Sequence, residues 1–104
     1  MQKICLDQLQ KLKERRMSFV LYVRSELKRD KIKEIFDTDI VVPELEKVFG
    51  HKIEFFSICA DENMKILEDF RLPSLVIFKN GECVEVMDGI KAWNEYVERF
   101  ISCL

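Results

Sequence analysis

The stretch that most constrains this chain is Phe70 to Ile90. Leu75 to Phe78 is an unbroken apolar run rich in β-formers, and Cys83 to Met87 is a second such run. Between them, Asn80-Gly81 is the dipeptide that best tolerates positive φ at both central positions of a tight turn. The three pieces together specify a β-hairpin. Leu72-Pro73-Ser74 precedes it, with the proline at the head of a strand, where its missing N–H removes no ladder bond.

Around the hairpin the chain alternates strand and helix signals. Residues 3 to about 16 place Cys5, Leu9 and Leu12 at helical spacing among charged residues. Met17 to Val23 is apolar without alternation, the pattern of a central strand covered on both faces. Arg24 to Asp37 is dense in charge of both signs and reads as a long exposed connection or a solvated helical turn. Asp39 is then expected to cap a helix that turns Ile40, Val41, Leu45, Val48 and Phe49 inward, tolerates Pro43, and stops at Gly50. Ile53 to Ala60 is a second buried strand, and two strands joined through a helix form a right-handed parallel βαβ unit. Asp61 is expected to cap a short helix carrying Met64, Leu67 and Phe70 inward. The last element is an amphipathic helix with Trp93, Tyr96, Val97, Phe100, Ile101 and Leu104 on one stripe. The class is α/β, with a mixed sheet of about four strands (βαβ, then ββα), helices on both faces and an extra N-terminal helix, in one domain spanning residues 1 to 104.

Several functions are disfavoured by composition. Residues 1 to 52 carry 12 Lys/Arg against 9 Asp/Glu, and residues 53 to 104 carry 5 against 10. Neither half forms a clustered basic stripe and the pI is about 5.5, so nucleic acid is not the expected partner. The apolar runs are far shorter than the roughly 20 residues that span a bilayer, and the charged N-terminus lacks the apolar core of a secretory signal. A cytoplasmic protein without membrane insertion is expected. Cys5, Cys59, Cys83 and Cys103 include no Cys-x-x-Cys pair, and His51 is the single histidine. No metal site, cofactor or disulfide framework is expected, a Cys5–Cys103 bridge included, and buried or incidental thiols are the default reading.

The order of elements and several segments resemble the thioredoxin family. Leu72-Pro73-Ser74-Leu75-Val76-Ile77-Phe78-Lys79-Asn80-Gly81-Glu82 looks very like the thioredoxin segment that starts at its cis-proline and crosses the same Asn-Gly hairpin. Asp88-Gly89-Ile90 falls where thioredoxins place a glycine beside that proline, and Pro43 matches the proline that kinks the helix after their redox motif. The resemblance implies a cis Leu72–Pro73 bond and a substrate-docking surface there. It does not carry the dithiol reaction. Counting back from Pro43 puts the redox motif at Ile35 to Thr38, counting forward from the strand puts it near Lys28 to Lys31, and no cysteine lies between Cys5 and Cys59.

A narrower resemblance accommodates this. The thioredoxin-like chaperones of nickel–iron hydrogenase maturation, the HyaE/HupG group, are similar in the cysteine-free loop after the first strand and in a helix ending Glu44-Leu45-Glu46-Lys47-Val48-Phe49. They are similar also in Phe70-Arg71-Leu72-Pro73 and in the closing Gly89-Ile90-Lys91-Ala92-Trp93-Asn94-Glu95. Members carry a further N-terminal segment contributing an outer strand, which is not expected here. The resemblance implies a non-catalytic protein that binds the hydrogenase small-subunit precursor, including its twin-arginine signal peptide. Leu72, Pro73, Ser74, Asp88, Gly89 and Ile90 would meet the peptide, with Glu82 and Glu85 on the adjoining edge strand supplying carboxylates for arginine. The basic loop Arg24 to Lys33 would repel a twin-arginine segment, which favours the hairpin side. Two other readings stand beside this one. The first is a thiol–disulfide or other redox protein using one cysteine, with Cys83 the candidate, although Glu82 and Glu85 beside it oppose a thiolate. The second is a structural interaction module or homodimer using the sheet edge.

Overall fold

A computed structural model describes residues 1–104. In chain order the elements are β1 (Gln2–Ile4), α1 (Leu6–Glu14), β2 (Phe19–Arg24), α2 (Lys33–Phe49), β3 (Glu54–Cys59), a 3-10 helix (Met64–Glu68), β4 (Ser74–Lys79), β5 (Glu82–Asp88) and α3 (Trp93–Cys103). They form one mixed sheet in the order β1-β3-β2-β4-β5. β1, β3 and β2 are parallel, and β4 and β5 run antiparallel to their neighbours.

The unbroken apolar runs are explained by burial on two faces. Val20 and Tyr22 of β2, Phe55 of β3 and Leu75 and Ile77 of β4 pack with Val42, Leu45 and Phe49 of α2 and with Tyr96 and Phe100 of α3. The alternate residues Phe19, Leu21, Val23, Phe56, Ile58, Val76 and Phe78 pack on the other face with Leu9 of α1 and Ile66 of the 3-10 helix. Stacked rings key each layer: Phe49 on Phe100 at 4.7 Å, and Phe19 on Phe78 at 4.6 Å. The hairpin turn is as expected, with φ of 54° at Asn80 and 82° at Gly81. Gly81 also donates its N–H to the Met17 carbonyl, and a Cβ there would run into the Lys13 carbonyl, so the turn is seated on the end of α1.

Five expectations need correction. The sheet has five strands rather than about four, because Gln2–Ile4 pairs in parallel with β3 before α1 begins. Three residues are too few to show a period, and Gln8 Oε1 accepting from the Cys5 N–H starts the helix later than its apolar spacing suggests. α2 begins at Lys33, inside the stretch read as an exposed connection or a helical turn, and runs on without a break into the helix expected from Asp39. Its inward stripe is Ile35, Thr38, Val42, Leu45 and Phe49, while Ile40 and Val48 are exposed. Asp39 therefore lies in the second turn and caps nothing. Asp61 does not cap the following helix either; Asn63 occupies that position, and the buried residue of the 3-10 helix is Ile66, leaving Met64 and Leu67 exposed. In α3 only Tyr96 and Phe100 are fully covered, Val97 and Cys103 pack half-buried beside them, and Trp93 and Ile101 are exposed, so the buried stripe is narrower than the six residues expected.

Candidate functional site

The end of the sheet where β4 starts and β5 finishes collects Leu72, Pro73, Ser74, Asp88, Gly89 and Ile90. The Leu72–Pro73 bond is cis. Ser74 pairs with Asp88, and the Gly89 N–H donates to the Pro73 carbonyl at 2.8 Å. Ser74 Oγ donates to the Arg71 carbonyl at 2.6 Å, tightening the loop. Gly89 has φ of 71°, and a Cβ there would lie 3.2 Å from Glu34 Oε2, so the first turn of α2 abuts it. Tyr96 Oη accepts from the Lys91 N–H at 3.1 Å and fixes the segment leading into α3. Within this frame the N–H and carbonyl of Leu72 and of Ile90 make no hydrogen bond to the chain. These are the backbone groups an extended ligand would pair with.

Beside the loop lies an apolar trench of about 170 Å³ lined by Leu27, Ala60, Met64, Leu67 and Leu72, with Lys28 and Asp61 at its rim. Leu27 and Met64 are 80% and 72% exposed there. One wall is built by Asp61. Its carboxylate accepts from Ser25 Oγ, from the Glu26 and Leu27 N–H groups at 2.9 and 3.1 Å, and from the Cys59 thiol. The Ser25 hydroxyl, then the Leu27 amide, the Cys59 thiol and the Glu26 amide, outweigh desolvation and hold its pKa down at about 2. The loop after β2 is thus ordered from the end of the neighbouring strand, β3.

At the N-terminal end of α2, where a dithiol would sit, the side chains are of another kind. Lys28 to Lys31 form a turn ahead of the helix, and Ile35 and Thr38 are buried inside it. Thr38 Oγ1 and Tyr22 Oη are hydrogen-bonded at 2.6 Å. Tyr22 also donates to Asp39 at 2.6 Å, Arg24 donates twice to the same carboxylate at 2.9 Å, and Arg29 once at 2.9 Å. Desolvation raises the pKa of Asp39, but the hydrogen bonds from Arg24, Tyr22 and Arg29 prevail and the net shift is downward. Burial, then the bond to Asp39, pushes Tyr22 far above the usual phenol range, while Asp39 raises Arg24 further. None of the three changes protonation near neutral pH. Arg29 additionally lies over the Phe36 ring at 4.8 Å. Two of the bases in the stretch read as basic, Arg24 and Arg29, are therefore neutralised.

The structure gathers six of the eight residues singled out from the sequence and separates two. Glu85 turns toward α3 and pairs with Arg99. Glu82 stands beside the hairpin turn, about 20 Å along β5 from Asp88 at some 3.3 Å per residue. Sequence reasoning missed Glu34, Leu27, Met64 and Leu67. Leu27 carried a signal, being the one large apolar residue between Arg24 and Lys31. The four thiols are free and lie on separate elements: Cys5 and Cys83 exposed, Cys103 half-buried, Cys59 buried. Burial raises the pKa of Cys83 and of Cys103. No group of three or more His, Cys, Asp or Glu side chains is disposed to hold a metal, and no helix is long and apolar enough to cross a membrane.

Sheet order, proline loop and helix placement together define a thioredoxin-fold protein with no Cys-x-x-Cys motif. The chain is similar to mitochondrial thioredoxin 3 of Saccharomyces cerevisiae, at 17% identity, TM-score 0.77, and 100% and 95% coverage of the two chains. It is similar also to thioredoxin of Plasmodium falciparum, at 14% identity, TM-score 0.76, and 98% and 97% coverage. The likeness is one of fold. The family is given by residues 1–96, which match the model of the hydrogenase-1 expression protein HyaE, and the chain belongs to that family. An uncharacterized protein of Aquifex aeolicus (strain VF5) is 46% identical over 106 residues, spanning 100% of this chain and 90% of that one.

Proposed function

We propose that this protein is a non-catalytic chaperone that binds the hydrogenase small-subunit precursor through its twin-arginine signal peptide, in the cytoplasm, during assembly of the enzyme. The observation that carries the reading is the Leu72–Ser74 loop, with unpaired backbone groups at Leu72 and Ile90, opening onto an apolar trench. An extended peptide pairs its main chain with Leu72, and its apolar residues enter the trench, where the flexible Met64 adapts to different side chains. Its arginines meet Asp88 and Glu34, which flank Gly89 and have no ion-pair partner. Glu85, already bonded to Arg99, and Glu82, at the far end of β5, contribute less.

A fluorescence titration tests this, with Trp93, the sole tryptophan, as reporter four residues from Gly89. A twin-arginine signal peptide is expected to bind at least about tenfold more tightly than the same peptide with both arginines replaced by glutamine, since charge-assisted bonds are roughly twice as strong as neutral ones. Equal affinity for the two peptides overturns the mechanism.

A further inference from the structure

The largest concavity of the molecule lies away from the proline loop, at the opposite end of β5. It is an open groove of about 810 Å³ between α1, the 3-10 helix and β5. Its floor is apolar: Leu6, Leu9, Phe70, Phe78, Cys83 and Val86. Its rim carries Glu68, Asp69 and Glu82 against Lys13 and Lys65. The short 3-10 helix covers the centre of this sheet face but stops before the β5 edge, so the layer that buries Val76 and Phe78 has no counterpart beyond Val86.

The groove runs along an unpaired strand edge. β5 pairs with β4 on one side only, and the sheet order leaves its other side free. The Gly89 N–H bonds to the Pro73 carbonyl, which makes 73 and 89 a hydrogen-bonded pair. By alternation Met87 and Glu85 bond inward to β4, while Asp88 and Val86 turn their N–H and carbonyl groups to the open edge. The side chains alternate as well. Val86 faces the groove, whereas Glu85 faces α3, beside Glu95 and Arg99.

We propose that the β5 edge and this groove form a second docking surface, separate from the proline loop, that takes an extended protein segment with apolar and basic residues in alternation as a sixth strand. Strand addition supplies main-chain bonds at Val86, beside the groove and short of the proline loop, and alternate side chains of the segment fall into the groove. Charge decides the occupant. β5 carries Glu82, Glu85 and Asp88 and no base, so a second copy of the chain paired on this edge would face three carboxylates with the same three. A segment with lysine or arginine at its alternate positions shares Glu85 and Glu95 with Arg99 on one side and places apolar residues on Phe78 and Val86 on the other. This surface does not depend on what the proline loop binds.

The probe is a peptide of alternating arginine and valine, about eight residues long to match the span of β5, compared with one of the same composition in two blocks. The alternating peptide is expected to bind and to slow hydrogen exchange at the Val86 amide, and the blocked peptide to bind at least about tenfold more weakly, because only alternation fits both faces of an added strand. Val86→Pro removes an outward donor at an edge position where proline is tolerated, and is expected to weaken binding with the circular dichroism spectrum unchanged. Glu85→Gln with Glu95→Gln leaves every backbone group in place, removes the carboxylates that the basic side chains meet, and is expected to weaken binding and flatten its salt dependence. Equal binding of the two peptides, unchanged exchange at Val86, or sedimentation showing that the chain pairs with itself through β5 would each overturn the proposal. Twin-arginine titrations on the same variants separate it from the loop: they are expected to be unaffected by Val86→Pro.

Discussion

Replacing Asp39 by asparagine removes the charge at the centre of the most connected polar group in the fold while keeping its size. The carboxylate accepts four hydrogen bonds, from Tyr22, Arg29 and twice from Arg24, and its side chain is 14% exposed. Asparagine offers one acceptor oxygen and turns an amide N–H₂ toward a guanidinium that also only donates. Each charged bond contributes about 1.5–3 kcal/mol. The loss is partial, however, because Arg24 keeps Glu26 and Arg29 can reach water. A net cost of about 2–3 kcal/mol follows, roughly 8–24 °C in melting temperature for a domain of this size. Urea unfolding followed by circular dichroism at pH 7 measures it. The pH dependence supplies an independent check. Asp39 has a folded pKa below its ordinary value of 3.8, so its contribution is present above that value and is lost as pH falls through the folded pKa. The gap between wild type and Asp39→Asn is therefore widest at neutral pH and narrows in acid. Tyr22→Phe leaves both arginines on the carboxylate and is expected to cost only about 1 kcal/mol. A cost for Asp39→Asn below about 0.5 kcal/mol, or one equal at pH 7 and pH 3, would refute the assignment of Asp39 as the charged hub.

Asp61→Asn is expected to loosen the loop after β2. Amide exchange at Glu26 and Leu27 should accelerate by roughly tenfold or more at neutral pH. In the wild type the same loosening should appear only as pH falls from about 3.8 toward about 2, where Asp61 takes up its proton, because a depressed folded pKa stabilises above the ordinary value and not below the folded one. Alkylation of Cys83 at neutral pH is expected to be slower than that of a free thiol. Burial, followed by Glu85, raises its pKa against the Glu85 amide and Lys13, and faster labelling would favour thiol chemistry over binding.

The hairpin was legible because its determinants are local: two β-rich runs and a dipeptide that accepts positive φ need no distant partner. The parallel strands β2 and β3 were legible for a related reason, since burial on both faces erases alternation and leaves a continuous apolar run. β1 was not. It is a strand only because β3 offers an edge, and its three residues carry no period. The start of α2 was hidden by the charges on its outward face, which read as a loop until Ile35, Thr38 and Val42 are seen to share one side. Asp39 and Asp61 have helix-capping chemistry in sequence, but Asp39 spends its carboxylate chiefly on Tyr22 and Arg24 of β2, and Asp61 chiefly on the Ser25–Leu27 loop.

The sequence by itself determined the class of fold, the proline-led loop and the absence of a dithiol, since these follow from residue types and short spacings. Only the tertiary structure decided which carboxylates are free. Glu85 and Asp88 look alike along the chain, yet α3 brings Arg99 to one and nothing to the other. It also decided that Leu27, Met64 and Leu67 converge on one trench beside Leu72, because that trench is made by the loop after β2 and the 3-10 helix meeting across strands that are far apart in sequence. Ion pairing and surface convergence depend on distances through space, and those are set only when both faces of the sheet are packed.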